Sequence, residues 1–120
     1  MLTTIMRYSD PMAKLRKYRG GIHLNEFEKQ LVSKEGFIGI AESARLNITN
    51  FLTPHHEHRD TPKLGVVPKA MHATGTCCKR CLYIWHKIPR HRDLTEGEEI
   101  YTLTLILKWI KREVMGNRLD

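Results

Sequence analysis

Cys77, Cys78 and Cys81 are the three cysteines of this 120-residue chain, and they fall within five consecutive positions. His72 stands five residues before the first and His86 five residues after the last. Three thiols and two imidazoles so close together are the donors that a transition metal takes, zinc first among them. An odd number of cysteines with two adjacent is a poor basis for a disulfide framework. It points instead to a reducing compartment and to thiols that are free or metal-bound. A structural ion contributes folding free energy directly, so this cluster constrains the fold before any helix is placed.

The sequence around it is helical in pattern. Asp10 and Pro11 read as an N-cap and first helical residue, with Met12, Leu15 and Tyr18 at helical spacing up to about Arg19 and Gly20–Gly21 as the stop. Asn25 caps a second helix, Glu28 standing at its third position. Phe27, Leu31 and Val32 give that helix an inner face, and Gly36 ends it. A third helix is expected from Phe37 to about Leu52, on the stripe Phe37, Ala41, Ala44, Ile48 and Phe51, closed by Pro54. From Thr53 to Gly75 the periodicity disappears. A structureless segment of that length is uncommon inside a compact domain, and a metal at its end would order it. Thr76 is the expected N-cap of a fourth helix through His86, stopped before Pro89, with Leu82 and Trp85 facing the core. Thr95 and Glu98 form a capping box for the last helix. Its stripe is Ile100, Leu103, Leu107, Ile110 and Val114, widened by Leu105, Ile106 and Trp109, and Gly116 ends it. The expected fold is mostly α: one small domain over residues 1–120, of four to five helices, with a long Pro- and His-containing loop pinned by zinc.

Helix geometry ranks the ligands. Cysteines at i and i+3 share a face, so Cys78 and Cys81 form the firm pair. Cys77 points about 100° away from Cys78 on a helix and is conditional. His72 can fold back from the preceding loop. His86 lies about 7.5 Å further along the axis than Cys81 and about 140° round, so it joins only if the helix bends or ends early. His23, between the first two helices, is a rival fourth ligand. The reading is structural Zn2+. The alternatives are cysteines acting as small buried hydrophobes and a redox or nucleophilic thiol, the latter without the strand that a thioredoxin-like site needs. The run His55, His56 and His58, with Asp60 near it, reads as an exposed polar loop before a second metal site or a supply of general bases. Trp85 and Trp109 read as core aromatics.

The net charge is +7 and the pI is near 9.5. Such a balance attracts anionic partners, and Lys79, Arg80, Lys87, Arg90 and Arg92 gather the charge around the cysteines. No apolar run reaches the roughly 18 residues that suggest a membrane span, and Met1 to Arg7 lacks a signal-peptide core, so the cytoplasm is the expected location. No phosphate-binding Gly-rich loop, His-Glu-x-x-His or Gly-x-Ser-x-Gly is present. Three functions fit. The first is a zinc-binding module contacting nucleic acid or a nucleic-acid-bound complex. The second is an inhibitor or adaptor acting by protein contact. The third is a metal-dependent hydrolase of nucleic acid or nucleotides, which needs an open metal position near His55, His58 or Asp60. The binding readings are favoured over an enzyme, and oligomeric state is not written in the sequence.

The run from His72 through Thr74-Gly75-Thr76-Cys77-Cys78 to Cys81, then Trp85-His86-Lys87-Ile88-Pro89 and Leu94-Thr95, resembles the domain-of-unknown-function family numbered 4186, short bacterial and phage proteins. His23-Leu24 and Thr61-Pro62 are similar to further pairs of that family, so the resemblance spans roughly residues 20 to 112 and leaves residues 1–19 as a basic N-terminal helical region. Between Pro54 and Met71 the chain departs from the family pattern, reading His58-Arg59-Asp60-Thr61-Pro62 and then Val67-Pro68. The resemblance implies that His23, His72, Cys77, Cys78, Cys81 and His86 are a shared polar set. It implies no activity.

Overall fold

The computed structural model describes residues 11–54 and 65–116, with side chains from Lys14 onward. Asp10 as a cap, the Met12 side chain, and the loop holding His55, His56, His58, Asp60, Thr61 and Pro62 lie outside the described residues. Five α-helices follow in chain order: α1 (Pro11–Arg19), α2 (Glu26–Asn47), α3 (Val66–Ala73), α4 (Lys79–His86) and α5 (Glu96–Met115), with a π-helical turn (Ile48–Leu52) extending α2. The described residues contain no strand. The chain is therefore mostly α, as its periodicity implies.

Both long helices start on full capping boxes. Asn25 Oδ1 accepts from the Glu28 N–H at 2.8 Å while Glu28 Oε1 accepts from the Asn25 N–H at 2.9 Å. Thr95 and Glu98 repeat the arrangement at the start of α5. Each box satisfies donors that a helix start otherwise leaves unpaired. The expected break at Gly36 is present as a kink inside α2. Gly36 adopts φ 79° and ψ 159°, a left-handed conformation that a side chain disfavours, and helix resumes on either side.

The structure corrects the expected inner faces. Val32 is buried as expected, but Phe27 is 68% exposed, and Leu24 and Glu28 turn inward in its place. Glu28 can be buried because its carboxylate is bonded by Lys69 Nζ at 2.8 Å as well as by the cap. Beyond the kink the buried stripe is Ile40, Ala44, Ile48 and Leu52, at a strict spacing of four, while Phe37 stays 37% exposed. On α5 the buried line is Thr102, Ile106 and Ile110, flanked by half-buried Leu103, Leu107, Trp109 and Val114, and Ile100 faces out. The shift follows from position: α5 packs on both α2 and α3, which also touch each other.

The largest departure is α3, which occupies part of the stretch expected to be structureless. Pro68 sits in its first turn, where no intrahelical N–H bond is lost. Val66, Val67, Ala70 and Met71 then form a buried face four residues apart in pairs. Proline and glycine mask that face in the sequence. α3 bridges α1, α2 and α5, and its residues join the cysteines, Leu82, Ile88 and Leu94 in one core.

Burial opposes the Glu28 charge, but the bonds from Lys69 and from the Asn25 cap outweigh it and hold the carboxyl below its ordinary value. Replacing Lys69 by Met strands that carboxylate inside the α2–α3 contact. The expected loss in urea unfolding is about 1–3 kcal/mol, with part of it recovered in the Lys69→Met, Glu28→Gln double variant.

Candidate metal centre

The thiol cluster is built by the turn between α3 and α4. Thr74 Oγ1 donates to the Ala70 carbonyl at 2.8 Å and lies 3.1 Å from Thr76 Oγ1, and the Thr76 N–H bonds the Met71 carbonyl at 2.8 Å. Both threonines are buried with their hydroxyls satisfied. Gly75 between them has φ +72°, and an added Cβ would stand 3.0 Å from Trp85 Cδ1 and 3.1 Å from Leu15 Cδ2. The turn thus needs glycine for two reasons, backbone conformation and the close passage of α1 and α4.

The turn delivers Cys77, Cys78 and Cys81 into the core, all three free and buried. Their sulfurs lie within 4.8 Å of one another, and the three could hold a metal ion. Here the expected geometry needs correction. α4 begins at Lys79, and its N-cap is Cys78, extended at φ −162° and ψ 168°, rather than Thr76. Cys77 and Cys78 therefore precede the helix, and the 100° divergence that set Cys77 aside does not apply. All three sulfurs converge.

A cation from another helix meets them. Arg19, at the end of α1, donates from Nη2 to Cys81 Sγ at 3.4 Å, and from Nη1 to the His72 carbonyl at 2.7 Å and to Cys77 Sγ at 3.7 Å. Tyr18 beside it packs its ring 6.1 Å from that of Trp85, holding α1 on α4. Hydrogen bonds from Cys77 and Cys78, with the guanidinium adding to them, drive the Cys81 thiol far below its ordinary 9.0. Cys77 is pushed up by its bonds with Cys78 and Cys81 and by burial. At Cys78 the bond with Cys77 lowers the pKa, but the bond with Cys81 and burial outweigh it and the net shift is upward. The shifts thus favour charge on Cys81 and oppose it on Cys77 and Cys78, since like charges this close oppose one another. Ionising all three needs a further cation.

A family model described as Domain of unknown function (DUF4186) matches residues 11–111. The chain belongs to that family. The match starts at residue 11 rather than 20, so α1 and Arg19 fall inside the region that defines DUF4186. No solved structure matches the chain.

The sulfur group of this DUF4186 chain includes none of the three candidate histidines His23, His72 and His86. His86 donates from Nε2 to the Thr74 carbonyl at 2.7 Å, so its Nδ1, 2.9 Å from Tyr101 Oη, accepts from that hydroxyl. Both ring nitrogens are thereby engaged, and burial holds the imidazole below its ordinary pKa in spite of that bond and the charge on Cys81. His23 Nδ1 pairs with Glu113 Oε2 at 3.0 Å. His72 rides on α3 rather than in a loop, half-buried, its carbonyl held by Arg19. Trp85 and Trp109 pack against the core.

Two of the five cations expected to face nucleic acid are used internally. Lys79 Nζ donates to the Arg92 carbonyl at 2.6 Å, and Arg92 forms a two-bond pair with Glu98 at 2.9 and 2.8 Å. Arg80 and Lys87 are exposed and Arg90 is half-exposed. Sequence reasoning missed Arg19, whose signal is one basic residue among several, and missed the Thr-Gly-Thr turn, whose signal is a glycine between two hydroxyls.

Gly75→Ala is expected to cost about 1–3 kcal/mol in urea unfolding. Chiefly through the Arg92 bond, the Glu98 carboxyl is held at about 2 against an ordinary 4.5. A depressed folded pKa means that its stabilisation is full above 4.5 and is lost as the pH falls toward 2. In Glu98→Gln, where the amide still serves the cap, urea midpoints should fall less steeply across that window than in the parent.

Proposed function

We propose that Cys77, Cys78 and Cys81 hold one zinc ion, and that the protein is a zinc-stabilised binding module for nucleic acid. The observation that carries the metal reading is the convergence of three buried free sulfurs within 4.8 Å. Sulfurs about 2.3 Å from one tetrahedral ion stand about 3.8 Å apart, so the spacing fits. Three thiolates and a divalent cation leave one negative charge, which the Arg19 guanidinium offsets while bonding two of the sulfurs. Zinc is favoured over harder ions because the donors are soft.

His72 is the fourth ligand in this reading. Arg19 Nη1 bonds both the His72 carbonyl and Cys77 Sγ, which sets that residue beside the sulfurs. The ion's role is structural: it ties the turn after α3 to the start of α4, and Arg19 links α1 to the same sulfurs. The nucleic-acid reading rests on the net charge of +7 and on the exposed cations that α4 and its following turn present.

Zinc affinity measured by chelator competition, with metal content by elemental analysis, tests the site. The expected results are one zinc per chain, loss of zinc in Cys81→Ser, and about 10–100-fold weaker binding in Arg19→Ala and His72→Ala. His86→Ala and His23→Ala should retain parental zinc affinity. A native chain purified in zinc without the metal would defeat the reading.

A further inference from the structure

The outer face of α4 carries Arg80 and Tyr83 at i and i+3, on one side of the helix, and the exposed Lys87 follows as its C-cap. Tyr83 is 50% exposed, with Ile84 beside it equally open. Tyr83 also lines a shallow surface hollow of about 530 Å³ with Pro89, Arg90, His91 and Arg92. An aromatic ring thus stands among cations, open to solvent at the rim of a hollow.

A second observation comes from the backbone. Lys87 is the one non-glycine residue with positive φ among the described residues, at φ 61° and ψ 28°. It ends α4 in the left-handed conformation that glycine normally supplies. The turn it makes brings the Ile88 N–H to the Leu82 carbonyl at 3.2 Å and buries Ile88. Glycine would do this without strain, so a lysine here keeps a cation where the fold does not ask for one. The brace from Lys79 to the Arg92 carbonyl, and from Arg92 to Glu98, fixes the far side of the same turn.

We infer that this face binds single-stranded nucleic acid, with Tyr83 as the platform on which a base stacks and Arg80, Lys87 and Arg90 as the phosphate contacts. The inference rests on the nucleic-acid reading above and adds the strand state and the residues. A single strand is favoured because an exposed ring offers nothing to bases already stacked in a duplex, whereas every unpaired base has a face to lay on it. Cations on both sides of the ring are placed to follow the backbone as it passes.

Fluorescence anisotropy with a labelled mixed-sequence oligonucleotide, alone and as its duplex, tests the inference on the full zinc-loaded chain. The single strand should bind several-fold more tightly. Tyr83→Ala should weaken it about tenfold or more with the salt slope unchanged, and Tyr83→Phe should restore binding. Arg80→Ala and Arg90→Ala should each lower the salt slope by about one. Lys87→Gly should weaken binding while thermal stability holds or rises, which separates lost contact from lost fold. Equal or stronger duplex binding with no effect of Tyr83→Ala would overturn the inference and leave the nucleic-acid reading standing. Absence of binding to either form at low salt would overturn both, as would capture of an acidic polypeptide such as polyglutamate in preference to either nucleic acid.

Discussion

The Arg19 guanidinium is where the separate parts of this small domain meet. It reaches from the end of α1 to two cysteine sulfurs and to the last turn of α3. Without a partner of opposite charge it would be a half-buried cation against the core, and it adds to the thiol hydrogen bonds that favour charge on Cys81. Each makes the other tolerable, in the way that buried ionic groups are retained only when paired. The proposed zinc ion would let all three sulfurs ionise and would leave a residual charge of the sign that Arg19 offsets.

Around this contact the rest of the fold is conventional helix packing. α2, α3 and α5 pack mutually, and the buried Ile106 and Ile110 of α5 share one core with Met71, Leu52 and Ile48. The cysteines belong to that core rather than to a separate lobe, so an ion held there would be coupled to hydrophobic packing. The binding face proposed on α4 follows from the same arrangement. With Cys81 and Leu82 turned inward, Arg80 and Tyr83 can only point out.

Much of this was legible in the residues. Capping boxes at Asn25/Glu28 and Thr95/Glu98, the break at Gly36, and the helical character throughout follow from local chemistry, and the structure reproduces them. α3 was not legible, because Pro68 and Gly65 look like loop residues and the buried face is only eight residues long. The rotation of the inner faces was not legible either. Whether Phe27 or Glu28 turns inward is decided by Lys69, 41 positions away. The same holds at the metal site. A cluster of cysteines is visible in sequence, but the convergence of all three depends on α4 starting at Lys79. The arrival of Arg19 depends on how α1 docks.

Zinc X-ray absorption on the purified native protein is the most direct test of the central claim. The account predicts an ion with three sulfur scatterers at about 2.3 Å and one nitrogen at about 2.0 Å. Zinc bound through one sulfur or none would show that the three cysteines do not act together, and would contradict it.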